Sequence, residues 1–295
     1  MLKFAISLAA LAIPGAALAQ TGASSPAQPA PEKREKRTDA APISAFKLIL
    51  VGDSTMAVGS GWASMFCAIH VKSTVACLNM GRGGRSTRSY RAEGSWDIAL
   101  NEAKVAGYKK AYVLIQFGHN DQSTKAERWT DLNGEFGANL RRMVEEVKAV
   151  GAVPVLVTPL TRREFVGGKL NNTLAAWADE VRKVAVSMNV PVLELNRRSA
   201  NVVQKLGAAD ATALAQSPPM PEELEAARGG TTLKPRPAEE AREPAADLPK
   251  TGPRGQLRPK FDYTHVGEAG ARVFAKLVAY DLAVAVPDLR SHLLP

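Results

Sequence analysis

The sequence predicts a doubly wound α/β domain, a parallel sheet covered by helices on both faces. Three observations point there. Continuous apolar runs of strand length, rich in β-branched residues, recur at 46–51, 111–117 and 153–158. Between and after them lie stretches whose apolar residues repeat with a helical period. Each of the three runs stops abruptly, at Gly52, Gly118 and Pro159, as strands do where they deliver a loop.

Taken in order, the chain opens on a targeting segment. Lys3 gives a positive flank, residues 4–18 are mostly apolar, and Ala17-Leu18-Ala19 reads as a cleavage site, so 1–19 is expected to be a removed signal peptide. The apolar run is short for a membrane span. No Cys follows the cleavage point and no twin-Arg pair precedes the run, so the expected destination is periplasmic or secreted. Residues 20–45 are Ala/Pro/Ser-rich, then mixed in charge, and are expected to form a disordered leader.

A single domain is expected over 46–290, with 45% hydrophobic content ample for its core. After the first strand, 62–70 reads as helix and 74–79 as a short second strand. The third strand, 111–117, is the clearest. Helix 136–150 carries Leu140, Met143, Val144 and Val147 as its apolar stripe and ends at Gly151. Strand 153–158, helix 174–188, a fifth strand at 190–195 and a closing helix at 268–284 complete the alternation. Residues 207–260 break it. They are Pro/Ala/Glu/Arg-rich, with one helical turn near 222–227, and read as a low-complexity insertion, either a surface excursion or a flap facing substrate.

The net charge is +9 with a pI near 9.6, which favours acidic partners. Export argues against nucleic acid and leaves polyanionic glycans, an anionic envelope, or no partner at all. The two cysteines, Cys67 and Cys77, fall on a helix and the next strand; a disulfide and a pair of buried thiols both remain open.

The chemistry gathers at the carboxyl ends of strands, where open α/β sheets place their sites. Gly52-Asp53-Ser54-Thr55 sets a serine beside the N–H groups of a helix start. Gly81-Arg82-Gly83-Gly84-Arg85-Ser86-Thr87 lets backbone approach a ligand closely, and lacks the spacing of a phosphate loop. Gly118-His119-Asn120-Asp121 brings a side-chain amide beside the first strand. Asp262 and His265, three residues apart, would share a face in one helical turn, with the carboxylate holding the imidazole. Asp53 reads as a structural hydrogen-bonder, Asp121 as the residue that holds Asn120, and His70 and His292 as packed or solvated. A metal site built from His119, Asp121, Asp262 and His265 would leave Ser54 and Asn120 unexplained. Arg82, Arg85 and Arg88 form a basic cluster suited to carboxylates, or a solvated loop face.

In these blocks, with Thr158-Pro159-Leu160-Thr161-Arg162-Arg163-Glu164-Phe165, the sequence resembles the SGNH (GDSL-like) hydrolase superfamily, and most closely its rhamnogalacturonan acetylesterases. The resemblance covers most of 46–206 and 261–286. It implies a flavodoxin-like three-layer α/β/α sandwich with a five-stranded parallel sheet, and ester hydrolysis without metal or organic cofactor. It further implies Ser54 as nucleophile, Asp262 and His265 as the rest of a triad, and Ser54, Gly84 and Asn120 as an oxyanion hole. From the residues themselves, His119 reads as supporting its loop or lining the acyl pocket, and Arg85 and His119 are the candidate substrate contacts. The expected partner is an acetylated, acidic polysaccharide or oligosaccharide, handled by a monomer without a membrane span.

Overall fold

The structure, a computed structural model, describes residues 45–234, 242–244 and 257–295. The expected signal peptide and, except for Ala45, the expected leader lie outside these residues, as does most of 235–256.

The run Phe46–Gly52 forms strand β1, buried along its whole length. A short helix α1 (Ala63–Met65) continues as a π-helical turn at Phe66–His70 and leads to β2 (Val75–Asn79). Helices α2 (Thr87–Ala92) and α3 (Ser95–Lys104) precede β3 (Lys110–Gln116); α4 (Gly137–Ala149) precedes β4 (Val153–Val157). A small hairpin, β5 (Phe165–Val166) with β6 (Lys169–Leu170), is followed by α5 (Ala175–Met188), β7 (Val192–Leu193), α6 (Leu195–Asp210), α7 (Pro221–Arg228) and α8 (Glu268–Ala285). The five strands β2-β1-β3-β4-β7 pair in that order, all parallel. This is the flavodoxin-like order, with the sequence reversing direction between β1 and β3.

Alternation along β1 divides the core in two, because successive side chains leave a strand on opposite faces. Leu48 and Leu50 join Phe274, Val278 and Leu282 of α8, all fully or almost fully buried. Ile49 and Val51 join Leu140, Met143 and Val147 of α4 on the other face. Cys67 and Cys77 are disulfide-bonded with Cα atoms 5.6 Å apart, tying the π-helical turn to the edge strand β2.

The structure departs from the sequence reading in three places. The fifth strand is two residues long, since Leu195 already opens α6. Helices α2, α3 and α6 add to the expected set. Finally, 207–228 belongs to the packed domain. A 3-10 turn at Ala211–Leu214 and helix α7 bury Ala211, Leu214 and Ala227 in the main core. Two of these three are alanines, which is why the segment shows so faint an apolar period. No helix among the described residues is long and apolar enough to cross a membrane.

Candidate active site

The turn after β1 is held by a buried chain of hydrogen bonds. Thr55 donates to Asp53 Oδ1 through its N–H at 2.8 Å and its hydroxyl at 2.7 Å. Gln116, the last residue of β3, donates to the Thr55 hydroxyl at 2.6 Å and accepts from Trp62 Nε1–H at 2.9 Å. The N–H groups of Met56 and Ala57 close onto the Asp53 carbonyl. A glycine is required at 52, because a Cβ there would lie 2.3 Å from Met56 Sδ and 2.6 Å from the Gln116 carbonyl. Asp53 thus holds the turn through Oδ1. Ser54, half-buried, is left at the crest of the turn with its N–H making no hydrogen bond among the described residues.

The glycine loop after β2 lies against this turn. Asn79 donates to the Met56 carbonyl at 2.9 Å and accepts from the Gly81 N–H at 3.0 Å, while the Arg82 N–H bonds the Gly52 carbonyl at 3.0 Å. A Cβ on Gly83 would stand 3.8 Å from that of Ser54, so this loop forms one wall beside the hydroxyl. Gly84 has φ +76°, a left-handed conformation that favours glycine, and its N–H makes no hydrogen bond among the described residues.

Asp121 joins the third block to the second. Its Oδ1 accepts from the Thr87 N–H at 3.0 Å, the Thr87 hydroxyl at 2.6 Å and the Thr130 hydroxyl at 3.1 Å; its Oδ2 accepts from the Gly118 N–H at 3.1 Å. Burial pushes this carboxyl up to about 7, against the pull of those donors. Asn120 is fixed by one amide hydrogen on the Arg85 carbonyl at 3.0 Å, and its second amide hydrogen makes no hydrogen bond among the described residues.

His265 Nδ1 lies 2.7 Å from Asp262 Oδ2. The segment is a tight turn rather than a helix: Asp262 Oδ1 accepts the N–H groups of Thr264 and His265, each at 2.7 Å. Burial opposes ionisation of Asp262. The bond and charge of His265, with the two backbone donors, outweigh it and hold the carboxyl below the usual carboxylate range. An ionised Asp262 keeps the ring proton on Nδ1 and leaves Nε2 as an acceptor. The turn is anchored toward Ser54, because the Val266 N–H bonds the Ser60 carbonyl at 3.0 Å and the Ser60 hydroxyl bonds the Ser54 carbonyl at 2.8 Å. It is also braced by the segment read from sequence as an insertion. Gln216 N–H donates to the His265 carbonyl and the Gly267 N–H to the Leu214 carbonyl.

His119 is buried, with Nδ1 3.3 Å from Asp53 Oδ2, a close contact rather than an aligned hydrogen bond. Burial is the largest influence on this ring and lowers its pKa, with the charges of Arg162 and His265 adding to that. The arginines of the basic cluster are occupied. Arg85 pairs with Glu93 at 2.8 Å and Arg82 with the same carboxylate at 3.6 Å; Arg88 pairs with Glu135. Sequence reasoning did not single out Arg128, whose guanidinium lies 3.3 Å from where a Gly84 Cβ would be, nor Arg163, which is fully buried. Among the described residues, no group of three or more His, Cys, Asp or Glu side chains is placed to hold a metal.

Residues 50–273 match the GDSL-like Lipase/Acylhydrolase family. This chain belongs to that family. Within the GDSL-like family it is 34% identical over 158 residues to the rhamnogalacturonan acetylesterase RhgT of Bacillus subtilis (strain 168), a match covering 51% of this chain and 65% of RhgT. It is 26% identical over 158 residues to the probable rhamnogalacturonan acetylesterase YesY of the same organism, covering 52% of this chain and 71% of YesY. The crystal structure of YxiM from Bacillus subtilis superposes with a TM-score of 0.58 at 22% identity, covering 82% of this chain and 57% of YxiM, which establishes likeness of fold. The chain spans slightly less than two thirds of RhgT.

Proposed function

We propose that this GDSL-like protein is a serine esterase that removes acetyl groups from a glycan. The observation that carries the reading is the Asp262–His265 pair at 2.7 Å, in a turn tied through Val266 and Ser60 to the Ser54 carbonyl. The glycine loop, where a Gly83 Cβ would stand 3.8 Å from that of Ser54, and Asn120, bonded to the Arg85 carbonyl of that loop, support it.

In this reading His265 Nε2 takes the proton of the Ser54 hydroxyl as Oγ attacks the acetyl carbonyl. The carbonyl oxygen becomes an oxyanion received by the N–H groups of Ser54 and Gly84 and by the Asn120 amide. The intermediate collapses to acetyl-Ser54 as the bond to the sugar oxygen breaks, and the protonated His265 gives its proton to that oxygen, which departs as the sugar hydroxyl. Water, deprotonated by the same ring, then releases acetate and restores the serine. Asp262 orients the ring and stabilises its cation without taking the proton.

The substrate we favour is an acetylated, uronate-bearing pectic glycan of the rhamnogalacturonan type, met after export. The names of RhgT and YesY and the net charge of +9 support it. The test is acetate release from acetylated rhamnogalacturonan, acetylated xylan and acetylated peptidoglycan, with and without a chelator. Release is expected to be fastest on the first, unchanged by chelation and abolished in Ser54→Ala. A Ser54→Ala protein as active as the parent would refute the mechanism. Faster release from xylan or peptidoglycan would refute the substrate while leaving the chemistry intact.

A further inference from the structure

We propose that Arg163 is the positioning residue that sets the Asp-Tyr-Thr-His turn in its working geometry. The proposal rests on the esterase reading for its functional meaning. All four carbonyls of residues 262–265 accept a hydrogen bond from this single residue. The guanidinium Nη2 donates to the Asp262 carbonyl at 2.9 Å and to the His265 carbonyl at 2.8 Å. Nη1 donates to the Thr264 carbonyl at 3.3 Å, and the Arg163 N–H donates to the Tyr263 carbonyl at 2.8 Å. The other side of the turn is fastened by Asp262 Oδ1 on the N–H groups of Thr264 and His265. The guanidinium and this carboxylate thus act on opposite sides of the backbone that presents the imidazole, in addition to the Val266–Ser60 and Gln216–His265 bonds.

The chemistry of the contact separates this role from ordinary core stabilisation. Arg163 is only 2% exposed. A buried cation normally requires a carboxylate in contact to offset its lost hydration. No carboxylate makes an ion pair with Arg163 among the described residues; its contacts are the turn's carbonyl oxygens. Burial pushes its pKa down to about 10, so it remains a cation at neutral pH. The positive charge therefore sits beneath the turn, where it also favours ionised Asp262. Only a planar fork with several fixed donors reaches carbonyls lying in different directions; a lysine ammonium is a point donor.

The test compares Arg163→Lys and Arg163→Met with the parent by thermal melting, by kcat and KM on an acetyl ester, and by the proton resonance of the His265 Nδ1–H. Both variants are expected to fold and to keep the parent's KM. kcat is expected to fall about 10²-fold, the scale set by misplacing a catalytic group by roughly 1 Å. The resonance should weaken or vanish, with Lys retaining more of both signals than Met. Parental kcat and resonance in a folded variant would overturn the proposal. So would a rise in KM at constant kcat, which would assign Arg163 to binding, or failure of both variants to fold, which would assign it to stability. The resonance is read without substrate. A parent chain that hydrolysed no acetyl ester would thus refute the esterase reading, while the resonance still decided the role of Arg163.

Discussion

Replacing Asp262 with Asn isolates the electrostatic part of the site from its shape. Asn keeps an oxygen where Asp262 Oδ1 accepts two backbone N–H groups at 2.7 Å, so the turn persists. The changed atom is the one 2.7 Å from His265 Nδ1. An amide nitrogen there donates, so Nδ1 must accept and the ring proton moves to Nε2, facing the serine it should deprotonate. By analogy with serine hydrolases carrying the same change, kcat should fall about 10⁴-fold. That corresponds to roughly 5 kcal/mol of barrier, with KM unchanged. The assay is acetate release from a small acetyl ester under saturating conditions, alongside circular dichroism to verify folding. A folded Asp262→Asn protein within about tenfold of the parent kcat would refute the assignment of Asp262 and the tautomer argument with it. The same variant should alter acid stability. The folded carboxyl titrates below its unfolded value, so the unfolded chain binds the proton more readily. Its contribution is fully present above about pH 4 and is lost as pH falls through the lower folded pKa. Asp262→Asn should flatten that limb of the melting-temperature profile.

Asn120→Ala removes the side-chain donor expected for the oxyanion and should lower kcat about 10²–10³-fold. Melting should move little, because only one bond, to the Arg85 carbonyl, is lost. Reducing the Cys67–Cys77 disulfide, whose residues are 10 apart, should cost about 2–3 kcal/mol. That lowers the melting midpoint by roughly 5–10 °C, measured by calorimetry with and without reductant, while activity at 25 °C persists.

What could be read in advance followed from local chemistry. Strands β1, β3 and β4 are legible because strands buried on both faces must be continuously apolar. The four blocks that carry the family resemblance are legible because each is contained within a few residues. β7 was overextended because Leu195, apolar in either setting, starts a helix. Helix α6 is faint in the sequence because Asn196, Arg197, Arg198 and Asn201 dilute its apolar period. The role of Arg163 was invisible for a different reason. Its partners lie about 100 residues away, and all of them are main-chain carbonyls, which have no residue-type signature. The pairing of Arg82 and Arg85 with Glu93 was likewise hidden, since one glutamate among many gives no sign that it faces that loop.

The strand order brings β1, β2 and β3 together early in the chain while His265 arrives just before α8, so Ser54 and His265 are about 200 residues apart. In the proposed reading, acetate release therefore requires the last helix, whose Phe274, Val278 and Leu282 share the core with β1, to have docked.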